Sequence, residues 1–242
     1  MNKVINKKFP NLNLQLDLIY NDYTFKPTYT SDLLIDSCIK NMQDDNKSVL
    51  DLGCGISVVN LALFHRFKKK KYFGSDLSEE SIKISKLNSK KYNANINLRI
   101  GNCFEPWKNY KFDTIVNDVS GVASKIAKVS NWFRNIPSES GEDGTELIGT
   151  ILNQSKAYLN KNGNIYFPII SLSNKNKILD FAHKNFKSVK LLKVKKWFLP
   201  EDLENQIELL NELKEKKFVD FKFEFGKIIC YSEIYTAFGP NE

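Results

Sequence analysis

Asp51, Asp76, Asn102 and the pair Asn117-Asp118 each stand where a short apolar run gives out, and Gly53 and Gly55 follow the first of them. Glycines at such a point remove side chains where the chain turns, so backbone N–H groups can approach a ligand closely. A carboxylate at a neighbouring strand end can hold ribose hydroxyls through charge-assisted hydrogen bonds of roughly 1.5–3 kcal/mol each. The stretch SVLDLGCGISVVN therefore reads as strand, glycine turn and helix, the mouth of a nucleotide pocket. A dinucleotide turn would carry a third glycine at position 58, where Val58 would instead meet the pyrophosphate. NAD is disfavoured, and Asp51 suits a ligand that has no phosphate.

The elements that must position these residues follow from hydrophobic period. SVLDLG, KYFGSD, INLRIG, FDTIVND and GNIYFPII are short, apolar and rich in β-branched or aromatic residues, as buried parallel strands are. Between them, residues 57–67 and 78–92 repeat every three to four residues, the second opening on Ser78 as a cap. A third helix, TELIGTILNQSKAYLN, is expected to stop at Asn162-Gly163. The last third adds a helix over 174–186, a strand near SVKLLKV, a charged helix near EDLENQIELLNELKEK and a final strand KIICYSEIYTAF. Alternating strands and helices predict βαβ units, a parallel sheet covered on both faces, and a ligand crevice beyond the carboxyl ends of the strands. Residues 1–30 read as an N-terminal extension with a hairpin in LNLQLDLIYNDYTF, and 31–242 as one α/β domain opening on a helix over 31–42.

Composition narrows the classes. With 242 residues and 42% hydrophobic content the chain can bury a full core, and no stretch reaches the roughly 20 apolar residues of a membrane helix. The opening MNKVINKKFPNLN has no apolar leader, so a cytoplasmic location is expected. Four scattered cysteines and two histidines indicate reduced thiols and no metal site. The net charge of +8 divides as +4 over 1–150 and +4 over 151–242, a spread that favours a solvated surface over a concentrated nucleic-acid footprint.

VLDLGCGIS resembles the first motif of the class I S-adenosylmethionine-dependent methyltransferases, with Ser57 where that family usually has its third glycine. Serine is small enough there provided it avoids positive φ. GSDLSEES resembles the ribose-binding segment, with Asp76 as the acid and Leu77 beside it, and GNCFE the adenine-contacting segment, with Asn102 for the usual aspartate and Cys103 next. Three such matches at successive strand ends, in order, are far more specific than one. The resemblance implies a Rossmann-like seven-stranded, mostly parallel sheet whose last strand is antiparallel, and S-adenosyl-L-methionine as cofactor. Asp51, Gly53, Cys54, Gly55, Ser57, Asp76, Leu77, Asn102, Cys103 and Asn117 would hold it.

FDTIVND and GEDGTELIGTILNQSKAYLNKNGNIYFP resemble, more closely, the release-factor glutamine methyltransferases and the related small-domain methyltransferases. FKPTYTSDLL resembles the segment that leads into their first strand, which would bring Pro27 and Thr30 to the cofactor. Where that group carries Asn-Pro-Pro-Tyr this chain has Asn117-Asp118-Val119-Ser120, which keeps the amide and loses the diproline and the aromatic ring. Asn117 and Asp118 are the catalytic candidates; Asp118 either orients or deprotonates an acceptor, or caps a turn. Residues 121–140, with Trp132, Phe133 and Arg134, are either a lid over the acceptor or an amphipathic helix whose aromatics pack. The expected activity is methyl transfer to a protein side chain or small molecule. RNA (ribosomal or transfer) is the alternative acceptor, a non-catalytic cofactor-binding protein is the alternative class, and oligomeric state stays open.

Overall fold

Along β3 (Ser48–Leu52) and β6 (Phe112–Asn117) successive side chains report to opposite sides of the sheet: Val49 and Val116 join one apolar cluster, Leu50 and Ile115 another. Strands that are apolar on both faces have to be covered on both, and that sets the layers. The computed structural model describes residues 1–45, 47–119 and 121–241. Its main sheet runs in the order β5 (Ile96–Ile100), β4 (Lys71–Asp76), β3, β6, β7 (Leu159–Ile170), β10 (Lys227–Pro240), β8 (Phe186–Phe198). Neighbours from β5 to β7 are parallel, and β10 lies antiparallel between β7 and β8.

On one face α1 (Tyr29–Asn41), α2 (Val58–Arg66) and α3 (Glu79–Lys91) cover the sheet; on the other, α5 (Glu146–Tyr158) and α6 (Lys175–Asn185) do. A third cluster joins α4 (Ser124–Val129), α7 (Glu201–Glu204) and α8 (Ile207–Glu215) to Ile228 and Cys230 of β10. The caps are local and sequence-encoded. Thr28 accepts from the Thr30 N–H to open α1, and Ser78 accepts from the Ser81 N–H to open α3.

Four expectations need correction. The sheet has eight strands among the described residues, because β9 (Lys222–Glu224) folds back on β10 through Phe225 and Gly226, both at positive φ. The N-terminal hairpin pairs β1 (Lys3–Phe9) with β2 (Leu14–Tyr20), so its first strand lies earlier than expected. That strand was hard to read because it is lysine-rich and largely exposed. Asn162-Gly163 stops no helix: α5 ends at Tyr158 and the chain enters β7 at once. A register shift opposite Phe112 and Thr114 absorbs the extra residues as a bulge, with the Asn160 amide donating to Asp113 at 2.6 Å. Finally, the charged helix over 201–216 is divided into α7 and α8 around Asn205 and Gln206.

Candidate active site

Beyond Leu52 the chain bends through Gly53 (φ 67°) and Gly55 (φ 51°) before α2. Gly53 is obligatory on two grounds. Its backbone is left-handed, and a Cβ there would lie 2.6 Å from Val119 Cγ1. The bend is pinned by its own N–H groups: Cys54 donates to the Ser75 carbonyl (3.0 Å), Ser57 to the Cys54 carbonyl (2.7 Å), and Gly55 to Asp76 Oδ2 (2.9 Å). Ser57, expected to avoid positive φ, has φ 66° and ψ 29°, and its side chain does not cap α2. The third-glycine conformation is thus kept with a serine in it, at a cost of roughly 1 kcal/mol.

Asp76 ends β4 and also accepts from the Ser78 N–H at Oδ1, 2.8 Å. Each oxygen uses one lone pair on backbone and keeps another for a ligand. Burial pushes its pKa up, and the Ser78 and Gly55 N–H bonds pull it back. Past β5, Asn102 is exposed with its N–H donating to Glu105 Oε2 (3.3 Å), and Cys103 turns left-handed at φ 46°. Burial pushes the Cys54 and Cys103 thiols up, so neither is prepared as a nucleophile.

These strand ends border a cleft of about 410 Å³, which Pro27, Thr30, Gly53, Cys54, Gly55, Asp76, Leu77, Asn102, Cys103 and Asp118 all line. Three expected site residues do not. Asp51, Ser57 and Asn117 are buried behind the wall, at 0%, 0% and 1% exposure. Alternation along β3 sends Asp51 to the same side as Val49, into the layer under α1 and α2 and not up to the strand edge. Neither of its carboxylate oxygens has a hydrogen-bond partner, nor has Asn117 Oδ1. Burial pushes Asp51 well above the ordinary carboxylate range, and the Asp118 and Asp76 charges add to it.

Asp118 follows β6, its N–H reaching the Leu52 carbonyl at 3.4 Å. Burial pushes its pKa up to about 7; a hydrogen bond from Ser31 lowers it, the Asp32 charge raises it and the Lys7 ammonium lowers it. Lys7 comes from the N-terminal hairpin and pairs with Asp32 at 2.7 Å. Of the four-residue segment that stands for Asn-Pro-Pro-Tyr, Ser120 lies outside the described residues.

The 121–140 segment divides its aromatic residues between packing and the cleft wall. Trp132 packs edge-on against Trp197 (5.8 Å), whereas Phe133 stacks on Phe25 (5.6 Å, 23°), and both rings of that stack border the cleft. Ile136, Pro137 and Glu139 continue this wall, and Pro168 of β7 faces the same cleft. Arg134 is exposed and takes no part in the lining. In GEDG, Asp143 is buried and accepts from the Thr145 hydroxyl (2.6 Å) and the Lys177 ammonium (3.0 Å), which fixes the start of α5. Sequence reasoning missed Phe25, Thr28, Ser31 and Glu139. The first three stand in the same FKPTYTSDLL segment as Pro27 and Thr30, and the three-residue spacing from Thr28 was the available signal for Ser31.

A parallel sheet with one antiparallel strand inserted next to its edge, and a cleft at the carboxyl ends with a glycine bend and a strand-end acid, define the class I S-adenosylmethionine-dependent methyltransferase fold. The 16S rRNA N2 G1207 methyltransferase of T. thermophilus, solved with AdoMet and guanosine, superposes on it with a TM-score of 0.61 over 98% of this chain and 50% of that one, at 12% identity. Residues 27–118 match the methyltransferase small domain family. The release factor glutamine methyltransferase of Enterococcus faecalis is 24% identical over 62% of this chain and 56% of its own length; that of Borreliella burgdorferi is 26% identical over 76% and 62%. The chain therefore has the class I methyltransferase fold and is similar in sequence to the small-domain family over residues 27–118 and to these release factor glutamine methyltransferases, and it spans between half and two thirds of those two relatives.

Proposed function

We propose that this protein is an S-adenosylmethionine-dependent methyltransferase whose acceptor is a protein side chain or a small molecule. The observation that carries this reading is the bare, left-handed bend at Gly53 and Gly55 facing an acid, Asp76, that keeps lone pairs free at the next strand end. The site suits the cofactor on three counts. The cleft volume of about 410 Å³ lies in the range of small-molecule sites. At Gly55 a Cβ would meet no atom closer than 4.0 Å, so the bend leaves open space there. The carboxylates of Asp76 and Asp118 line a cavity that a cation would enter favourably.

In this reading Gly53, Cys54 and Gly55 border the methionine portion, Asp76 holds the ribose, and Asn102 and Cys103 border the adenine. Bound there, S-adenosylmethionine supplies an electrophilic methyl group on a sulfonium with a good leaving group. The protein's contribution is then chiefly placement, which in well-aligned intramolecular models is worth about 7–11 kcal/mol. Phe25, Phe133 and Ile136 exclude water from the acceptor side, and Asp118, titrating near neutrality, can hold or release a proton there. The names of the release-factor relatives support a protein acceptor.

Methyl-labelled S-adenosylmethionine incubated with the protein and fractionated cell extract tests this directly. Label is expected in a protein or small-molecule fraction. Incorporation confined to RNA would overturn the acceptor class, and no incorporation while the cofactor still binds would overturn the enzyme.

A further inference from the structure

The charged side chains that line the cleft are Asp76, Asp118 and Glu139. Among the described lining residues there is no Lys, Arg or His, in a chain that carries 36 Lys+Arg and a net charge of +8. At the chain's own frequency a wall of this size would hold several cations. Their exclusion leaves carboxylates as the charged groups of this lining, Asp76 and Asp118 half-buried and Glu139 exposed, in a positive protein, and that favours the approach of a cation.

A second, independent observation points the same way. On the lid side the side-chain donors among the described lining residues are hydroxyls alone, those of Thr28, Thr30, Ser31 and Ser138. With no cationic donor among the described lining residues, such a chamber has nothing to neutralise a carboxylate or a phosphate. It welcomes a group that brings its own N–H donors and positive charge. One cofactor cation does not account for three carboxylates, and Asp118 and Glu139 line the same cleft as the Phe25–Phe133 stack.

We propose that the acceptor atom is an aliphatic amine nitrogen, that of a lysine side chain on a partner protein, seated at Asp118 and Glu139 against the Phe25 and Phe133 rings. This rests on the methyltransferase reading above and goes beyond it in naming the acceptor. The apolar rings accept the methylene stem and attract the ammonium through their faces. Asp118 takes one proton from the ammonium. The nitrogen lone pair then forms the N–C bond as the C–S bond breaks with its electron pair left on sulfur, and the methylated product departs as an ammonium. The proton on Asp118 returns to solvent. Its raised pKa, about 7, suits a group that must take and lose that proton near neutral pH.

Binding and transfer are tested separately. The cofactor-free protein is titrated by NMR with acetyl-Gly-Lys-Gly-amide and with the same peptide carrying norleucine or glutamine in place of lysine. The lysine peptide is expected to bind about tenfold more tightly than either, and Asp118→Asn and Glu139→Gln each to abolish most of that preference while leaving the thermal melt cooperative. Equal binding of the three peptides would overturn the proposal. With methyl-labelled S-adenosylmethionine, mass spectrometry should find the methyl on the lysine nitrogen. Transfer to the glutamine peptide alone would overturn the amine assignment and leave the enzyme reading standing, whereas failure to bind S-adenosylmethionine at all would remove both.

Discussion

Around Gly53 and Asp76 the cleft wall is backbone, held by N–H bonds of 2.7–3.0 Å within the bend and to the end of the adjacent strand; around Phe25, Phe133 and Glu139 it is side chains, from the segment before α1 and from the 121–140 segment. The first wall has little freedom, because moving it breaks these hydrogen bonds. The second is held by ring stacking and by the packing of α4 on α7 and α8. A fixed end suits a ligand that never changes, and a side-chain end can be retuned from one acceptor to another without disturbing the sheet. Val119 joins the two, since its methyl group occupies the space above Gly53.

The largest effect should come from breaking that joint. Gly53→Ala adds a Cβ 2.6 Å from Val119 Cγ1 at a positive φ, and calorimetry should show cofactor affinity falling by about 100-fold. Adding Val119→Ala should restore part of the loss, because it removes the clash and leaves the backbone strain. No recovery would mean that the two ends are independent at this point.

The acceptor end should show itself in pH dependence. Asp118 is raised to about 7 in the fold, so the folded state binds its proton more tightly than the unfolded state does. Such a group favours folding least when ionised: stability is highest below the unfolded value near 4 and falls as pH rises toward 7. Asp118→Asn should therefore stabilise the protein at pH 8 relative to pH 4, by on the order of 2 kcal/mol in denaturant unfolding. The same stability difference at both pH values would contradict the raised pKa.

Next in size, Asp76→Ala removes the acid that holds the Gly55 and Ser78 N–H groups and faces the cleft, and should weaken cofactor binding by about tenfold or more. Unaltered affinity would take Asp76 out of the site. The smallest effect is at Ser57. Replacing it by glycine relieves φ 66° and removes a buried hydroxyl without a partner, so stability should rise by about 1 kcal/mol and the melting temperature by about 2–4 °C. A fall in melting temperature would show that the serine is doing something the backbone does not reveal.

What the sequence made legible follows the same division. The strands β3 to β7 were readable because each is a short apolar run closed by Gly, Asp, Asn or Ser. The β1 strand and the Phe225-Gly226 turn were not, since a lysine-rich exposed strand and a hairpin inside a charged stretch carry no apolar period. At the site, motif spacing located Asp76 and the glycines. It also drew in Asp51, Ser57 and Asn117, which share those motifs while their side chains sit behind the wall. Phe25 and Glu139 carry no motif; chain folding alone brings them to the cleft that Asp118 lines.

A crystal structure grown with S-adenosylmethionine puts the whole description at risk in one step. The adenosyl group should lie between Asp76 and Asn102, the methionine along Gly53–Gly55, and the methyl should face Asp118 and the Phe25–Phe133 stack. An empty cleft at saturating ligand, or a dinucleotide bound there in its place, would contradict it.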